Sequence, residues 1–287
     1  MAMSAIDKAF VKKSFNRHAA TYDAYAVLQG RLGDRLLQFL NGSLPAAPCI
    51  LDIGMGTGTT TMSLLQRFPA ARIHGCDLAL NMIARARAQE ALQNRKQYFI
   101  AADTEFLPYR EACFDLVISN FTLQWLEQWD RAAHEIFRVL KPGGIFLCAA
   151  FGEQTFKELK ASFVRACGET GYNHGEALRL YGSQEHCSAA LRAAGFIKSF
   201  ATANLLTQHY QSVADLIRSI KGMGAQNASP RRNRGLGMRR IWDRMIALYE
   251  ADFRQQDGIA ATYQVIMGGG EKPSPAFHNE RQQVQLK

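Results

Sequence analysis

The chain contains 287 residues, of which 47% are hydrophobic and 21% are charged, so a mainly disordered or fibrous protein is excluded. Its formal net charge is +9, which favours nucleic acid, an anionic membrane or an acidic protein as a partner without choosing among them. No apolar run reaches the roughly 18 residues of a membrane-spanning helix, and the first residues lack the apolar core of a secretory signal.

The first 45 residues precede any regular alternation of strand and helix patterns. They contain Phe10, Phe15 and Tyr22, which are suited to packing beneath a helical lid. We therefore predict a helical cap or lid over residues 1–45.

From residue 48 onward, short β-rich runs alternate with stretches that have apolar residues at helical spacing. This alternation predicts strands at 49–54, 71–78, 97–103, 114–120 and 145–151. Such apolar strands favour a parallel sheet that is covered by helices on both faces.

The pattern loosens after residue 151 but still predicts regular elements. Helices are expected near residues 155–167, 184–194, 213–221 and 238–255, and strands near residues 200–210 and 262–269. We predict one domain over residues 46–268, with insertions at about 155–185 and 213–256. Residues 269–287 have little apolar content, and we predict that they form a disordered tail.

The cysteines indicate a reducing environment. None of the six forms a C-x-x-C pair, and several lie in apolar runs that resemble strands. We expect free, buried thiols in a cytoplasmic protein, with neither a disulfide framework nor a metal site.

A glycine-rich loop follows the first predicted strand and precedes a helix. It contains Gly54, Gly56 and Gly58, which permit a tight turn and a close approach of the backbone to a ligand. The dinucleotide fingerprint G-x-G-x-x-G would require glycine at position 59, where the chain has Thr59. From Asp52 onward, the pattern D-x-G-x-G-x-G resembles the first motif of class I S-adenosylmethionine-dependent methyltransferases.

This resemblance covers the chain to about residue 151 and implies a Rossmann-like α/β fold with a mostly parallel, seven-stranded sheet. It also implies S-adenosylmethionine as cofactor, with S-adenosylhomocysteine as product. A carboxylate at Asp52 suits the ammonium or sulfonium end of that ligand. Asp77, nineteen residues after Gly58, would accept hydrogen bonds from the ribose hydroxyls. An acid that merely caps the next helix remains the alternative for Asp77.

The ends of two further strands and the residues after Asp77 carry the resemblance onward. Asp103 would accept a hydrogen bond from the adenine amino group, and the backbone of Thr104 would contact the ring edge. An ordinary turn is the alternative for this pair. The backbone at Asn120 would line the methionine portion. Leu78 and Met82 would pack on the adenine, or else belong to the core.

The segments that flank this region narrow the resemblance. FVKKSFNRHAATYDAYAVLQ, LQWLEQWDRAAHEIFRVLKPGG, IKGMGAQN and ATYQVI occur in this order. Together they are similar to the malonyl-acyl-carrier-protein O-methyltransferases of biotin synthesis, the BioC family, over residues 8–268. Two positions depart from the family pattern: Met55 stands where cysteine is usual, and Gln264 where glutamate is usual.

The family resemblance implies methylation of the free carboxylate of a malonyl thioester, giving the methyl ester that primes pimeloyl synthesis. A carboxylate is already anionic at pH 7, so no general base is required, and positioning can supply the catalysis. No catalytic residue is assigned, and Tyr22 is the candidate. We expect Tyr22 and Gln29 to close over the donor, and an Arg or Lys that we do not assign to hold the carboxylate.

The excess positive charge is concentrated near the C-terminus. Residues 218–244 contain eight Lys and Arg against one acid, which gives +7. We expect this segment to dock an acidic acyl carrier protein, or malonyl-CoA, and not nucleic acid or a membrane. The candidate contacts are Arg218, Lys221, Arg231, Arg232 and Arg234. A solvated basic loop is the alternative for the segment.

For the function of the whole chain, the alternatives are a small-molecule carboxyl or quinone-type methyltransferase, an RNA methyltransferase and a non-catalytic donor-binding module.

Overall fold

A central β-sheet organises the chain in the computed structural model, which describes residues 6–40, 44–93, 97–126, 128–171, 182–224 and 237–275. The strands are β1 (Cys49–Ile53), β2 (Arg72–Asp77), β3 (Tyr98–Ala101), β4 (Phe114–Asn120), β5 (Leu140–Phe151), β6 (Ile197–Tyr210), β7 (Arg254–Gln255) and β8 (Gly258–Glu271). The helices are α1 (Lys8–His18), α2 (Tyr22–Tyr25), α3 (Val27–Leu36), α4 (Thr59–Arg67), α5 (Leu80–Gln93), α6 (Trp129–Val139), α7 (Lys157–Thr170), α8 (Gln184–Ala193), α9 (Val213–Gly222) and α10 (Gly237–Phe253). Two short 3-10 turns, Leu37–Phe39 and Leu123–Trp125, complete the described elements.

The sheet is mostly parallel, as predicted. Its strand order is β3-β2-β1-β4-β5-β8-β6, and β8 runs antiparallel to both of its neighbours. The prediction of seven strands matches this path, and the two-residue β7, which pairs with β8, makes the total eight. Because β1, β2 and β4 are mutually parallel, their carboxyl ends meet at one edge of the sheet. Ligands of open α/β sheets bind at such an edge.

Buried apolar side chains cover both faces of the sheet. Ile50 belongs to the cluster on one face, whereas its neighbours Leu51 and Ile53 belong to the cluster on the other. This division follows from the two-residue period of a strand, which directs successive side chains to opposite faces. All five residues of β1 are buried, so β1 is a central strand with helices packed on both sides.

The predicted tail begins too early. Residues 269–271 belong to β8, where Leu147 is paired with Gly269 and Phe146 with Gly270. A Cβ atom on Gly269 would lie 2.4 Å from the carbonyl oxygen of Phe146, so glycine permits this close pairing. The glycine run therefore continues the strand instead of ending it. After the strand, Lys272 Nζ donates to the carbonyl oxygen of Phe137 at 2.8 Å, at the end of α6.

The lid consists of α1, α2 and α3, which pack near the carboxyl edge of the sheet. Asn16 in α1 accepts a hydrogen bond from the Asn81 backbone N–H of α5 at 2.8 Å. On the other side, Ser14 Oγ donates to the carbonyl oxygen of Gly224, just after α9, at 2.9 Å. The lid is thus held by the body of the sheet domain and by the segment between β6 and β8. Within the residues that the structure describes, no helix has the length and apolarity needed to cross a membrane.

Candidate functional site

The glycine loop adopts a conformation that side chains disfavour. Gly54, Gly56 and Gly58 have φ angles of 63°, 55° and 88°, which lie in the left-handed region. At Gly54 a Cβ atom would lie 1.9 Å from Thr122 Oγ1. The Gly54 N–H donates to the carbonyl oxygen of Cys76 at 2.7 Å, which ties the loop to the end of β2. The positive φ angles at all three positions, and the close contact with Thr122 at Gly54, explain why this loop contains glycine there.

Met55, between the first two glycines, is buried and also borders one of the cavities at the loop. Its side chain joins a buried cluster with Ile83, Ala86 and Phe99. At the position where the family usually has cysteine, Met55 thus packs the loop against α5 and β3.

Asp77 anchors the loop from the end of β2. Its Oδ2 accepts from the Gly56 N–H at 3.0 Å, and its Oδ1 accepts from the Ala79 N–H at 2.7 Å. Burial raises the pKa of Asp77, while these backbone hydrogen bonds and one from Leu78 oppose the rise. Asp77 does cap the following turn, and each oxygen also keeps capacity to accept another hydrogen bond.

Two cavities lie against the glycine loop. One has a volume of about 180 Å³ and is bounded by the lid, the loop and the start of α4. The other lies between α1, the end of β2 and the Leu123–Trp125 turn. Both are lined by Tyr22, Gly54, Gly56 and Asn120, so they adjoin, and we refer to them together as the loop cleft. Its lining also includes Gln29, Asp77, Leu78, Met82 and Thr104.

Three predicted residues are absent from that lining. Gly58 is the N-cap of α4 and lies beside Ala86. Asp52 lies 1% exposed within β1, where its Oδ2 accepts from Thr61 Oγ1 at 2.7 Å. Asp103 is paired with Lys8 of the lid, whose Nζ lies 2.7 Å from Asp103 Oδ2.

Buried oxygen atoms around the cleft lack hydrogen-bond donors. Within the described chain, Asp52 Oδ1, Asn120 Oδ1 and Gln29 Oε1 have no partner. Their companion atoms are engaged: Asn120 Nδ2 donates to the Gln29 carbonyl oxygen at 3.0 Å, and Gln29 Nε2 donates to Met223 Sδ at 3.0 Å. Unpaired buried acceptors are costly, so the two that belong to lining residues, Asn120 Oδ1 and Gln29 Oε1, suit a ligand that carries N–H or O–H donors.

Several lid contacts were not predicted. Lys8 bridges Asp103 and Glu105, with its Nζ 2.8 Å from Glu105 Oε2. Phe15 lines the cleft and packs edge-on against Trp125, with ring centroids 5.2 Å apart. The four-residue spacing of Val11 and Phe15, which both line the cleft, is the sequence signal that could have identified this face of α1. Lys8 has no such signal, because its partners lie about a hundred residues away.

The predicted docking residues divide into two groups. Arg218 and Lys221 lie exposed on α9, and Arg218 forms an ion pair with Asp215 one turn earlier. Arg231, Arg232 and Arg234 lie outside the described residues.

Comparison with known proteins identifies the family. The family model described as "Methyltransferase domain" matches residues 51–148. The malonyl-[acyl-carrier protein] O-methyltransferase of Geobacter sulfurreducens is 40% identical over 270 residues, covering 93% of this chain and 100% of that one. This chain belongs to the malonyl-[acyl-carrier protein] O-methyltransferase family. A second relative with the same name, from a Methylovorus species, is 36% identical over 93% of this chain and 90% of its own length.

Family membership and fold agree. The solved structure of the YcgJ protein from Bacillus subtilis superposes with a TM-score of 0.58 at 18% identity, covering 83% of this chain and 97% of that one. The predicted Rossmann-like fold is confirmed, and this member of the malonyl-[acyl-carrier protein] O-methyltransferase family is an S-adenosylmethionine-dependent methyltransferase.

Proposed function

We propose that this enzyme methylates the free carboxylate of a malonyl group carried on acyl carrier protein, giving the ester that primes pimeloyl synthesis for biotin. The observation that carries the proposal is the similarity to the named Geobacter enzyme over 93% of this chain. Similarity of that extent includes both the lid and the segment around α9, which lie outside the part matched by the methyltransferase-domain model. A cytoplasmic location belongs to the same proposal and is supported by six free cysteines, five of them buried.

We assign the donor to the loop cleft. Asp77 would accept hydrogen bonds from the ribose hydroxyls, while Leu78, Met82 and Thr104 would contact the adenine. The buried oxygen atoms of Asn120 and Gln29 lack donors, which suits the ammonium group of the methionine portion. When bound, S-adenosylmethionine supplies an electrophilic methyl group on its sulfonium.

The protein's contribution to the chemistry is positioning and exclusion of water. The described lining of the loop cleft contains neither histidine nor cysteine. Burial raises the pKa of Tyr22, and the charges of Asp77 and Asp23 raise it further. Tyr22 therefore stays protonated and serves as a hydrogen-bond donor and a wall of the cleft, not as a general base. A malonyl carboxylate needs no base, because it is already anionic at neutral pH.

A methyl-transfer assay with labelled donor tests this proposal. Malonyl-acyl carrier protein, malonyl-CoA, free small acids and RNA are supplied in parallel at matched concentrations. We expect the fastest labelling of malonyl-carrier protein, with a methyl ester as product. Faster labelling of a free small acid would support a small-molecule methyltransferase instead. Label in RNA alone, or donor binding without turnover, would overturn the proposal.

Binding of S-adenosylmethionine near pH 7 is expected to release protons from the enzyme. Burial raises the pKa of Asp52 to about 7; the Thr61 hydrogen bond opposes this rise, and the charge of Asp77 adds to it. The donor has a net positive charge, which favours the ionised carboxylate and lowers this pKa. Donor affinity should therefore increase as the pH rises toward 7 and level off above it.

Calorimetry in buffers of different ionisation enthalpy measures the released protons, and Asp52→Asn should abolish the release. The free enzyme should show the opposite trend in stability. Because the folded pKa of about 7 exceeds the ordinary value of 3.8, the folded chain binds more protons between these pH values. Its stability therefore falls as the pH rises through that window, and Asp52→Asn should remove this component. An unchanged proton release in the variant would show that another group is responsible.

Reversing the charge of Arg231, Arg232 and Arg234 to glutamate is expected to raise KM for malonyl-carrier protein at least about tenfold at low salt. Acyl carrier proteins are acidic, so a basic surface favours their approach and docking. Donor affinity should stay unchanged. The gap from wild type should narrow at high salt, because salt screens exposed charges.

The matched control reverses three exposed basic residues elsewhere, Arg85, Lys157 and Arg192, and changes the net charge equally. Its KM should stay within about twofold of wild type. Equal effects of the two triple variants would show that overall charge matters and that no local docking surface exists.

A further inference from the structure

A separate cavity of about 200 Å³ lies on the far side of Gln29 from the glycine loop. Its walls come from the lid, the end of α9 and the strands β6 and β8. Val27 and Gln29 line both this cavity and the loop cleft, so the two spaces adjoin. We refer to it as the acceptor cavity. Its lining residues are Ala24, Tyr25, Val27, Leu28, Gln29, Gln208, Tyr210, Ser219, Met223 and Tyr263.

The acceptor cavity contains a pair of tyrosine hydroxyls from adjacent strands. Tyr210 in β6 and Tyr263 in β8 have hydroxyl oxygens 2.6 Å apart. The Tyr210 hydroxyl also donates to Gln208 Oε1 at 3.1 Å. Tyr263 is only 2% exposed and packs edge-on against Phe156 at a ring-centroid distance of 4.9 Å. The pair is therefore held in place at the wall of the cavity.

No residue that lines this cavity in the described chain carries a charge. The basic residues of α9, Arg218 and Lys221, are exposed, while Ser219 and Met223 of the same segment line the cavity. The positive charges that can attract an acidic partner thus lie at the surface, and the acceptor cavity itself offers only neutral hydrogen-bond donors. This differs from the expectation that an arginine or lysine holds the malonyl carboxylate.

We infer that the acceptor carboxylate is held by the hydroxyls of Tyr210 and Tyr263, and not by a cation; this inference rests on the proposed function. A carboxylate that enters the cavity would accept a hydrogen bond from each hydroxyl after the O–H groups rotate toward it. The negative charge of the carboxylate is lost as the ester forms, so a cation would stabilise the ground state more than the transition state. Neutral donors fix the carboxylate without strongly stabilising that charge.

The methyl-transfer step requires no proton acceptor. One carboxylate oxygen forms a bond to the methyl carbon of the donor, and the carbon–sulfur bond breaks with its electron pair moving to sulfur. The products are a neutral ester and a neutral thioether centre, so neither tyrosine gives up a proton. Gln29 lies between the loop cleft and the acceptor cavity, and its Nε2 donates a hydrogen bond to Met223 Sδ. It is the positioning residue at the junction of the two.

The test uses Tyr210→Phe, Tyr263→Phe and the double variant, each assayed with malonyl-carrier protein. Hydrogen bonds to charged groups contribute about 1.5–3 kcal/mol, so we expect kcat/KM to fall about tenfold or more in each single variant. The affinity for S-adenosylmethionine should stay within about twofold. Each substitution removes one oxygen atom and retains the ring, which preserves most of the packing.

Tyr249→Phe is the matched control. The Tyr249 hydroxyl donates to the carbonyl oxygen of Ala260 at 2.8 Å, and Tyr249 does not line the acceptor cavity. This variant should lose thermal stability but keep kcat/KM. If wild type methylates malonyl-carrier protein and the Tyr210 and Tyr263 variants retain kcat/KM within twofold, the inference is wrong while the proposed function stands. If wild type does not methylate malonyl-carrier protein at all, the proposed function itself fails.

Discussion

Replacing Gly54 by alanine is expected to weaken S-adenosylmethionine binding about hundredfold. Gly54 has a φ of 63°, and a left-handed conformation costs about 1–2 kcal/mol for a residue with a side chain. The new Cβ would also lie 1.9 Å from Thr122 Oγ1, so either the loop or Thr122 must move. Thr122 Oγ1 donates to the Gly54 carbonyl oxygen at 3.2 Å, and that movement would break this bond. Since each 1.4 kcal/mol is a factor of ten in affinity, the combined loss reaches about two orders of magnitude.

Calorimetric titration of the donor measures the effect, with thermal unfolding recorded in parallel. Gly168→Ala is the matched control, because Gly168 lies within α7 and a Cβ there would meet nothing within 4 Å. Alanine has a higher helix propensity than glycine, so the control should be neutral or slightly more stable. A Gly54→Ala variant that binds the donor as tightly as the control would contradict the geometry described for the loop.

Asp77→Asn is expected to weaken donor binding by one to two orders of magnitude. The carboxylate accepts from the backbone N–H groups of Gly56 and Ala79 with its two oxygens, and an asparagine amide can replace only one of them. A buried N–H without an acceptor costs about 1–3 kcal/mol. The variant would also lose one of the two oxygens that we assign to the ribose hydroxyls. Loop geometry and ligand contact are therefore affected together.

Asp115→Asn provides the control for the structural part of this effect. Asp115 Oδ2 accepts from the Cys49 N–H at 2.8 Å, and its carboxylate also pairs with Lys141. It lies at the amino end of the strands, opposite the loop cleft. Asp115→Asn should lower the melting temperature and leave donor affinity within about twofold. If both variants weaken donor binding equally, the effect of Asp77→Asn reflects general destabilisation.

The donor side of the site was largely predictable because its signals are local. Each strand of the parallel sheet ends at one edge, so a motif at the end of a strand already specifies where its residues lie. Tyr22, Gly54, Asp77 and Asn120 were all expected near the ligand, and the structure brings them together around one cleft. The roles assigned to them remain predictions until the donor-binding measurements are made.

The acceptor side could not be predicted because its contacts are long-range. Gln29 reaches Met223 across 194 positions, and Tyr210 reaches Tyr263 across 53. The sequence IKGMG spans residues 220–224, and the role of its first glycine depends on a contact with the lid. A Cβ on Gly222 would lie 2.4 Å from the ring of Tyr25, so glycine lets α2 pack closely on α9. No spacing pattern in the sequence encodes such a contact.

The position of β8 has a consequence for how the enzyme is made. β8 comes after every other described strand along the chain, yet it lies between β5 and β6 and pairs with both. During synthesis, β6 therefore has no neighbour in the sheet until β8 has left the ribosome, and its unpaired edge is exposed in the interval. Tyr263 lies on β8, so the wall that it forms with Tyr210 is also completed last. A nascent chain can thus shape the glycine loop long before it can present a finished acceptor cavity.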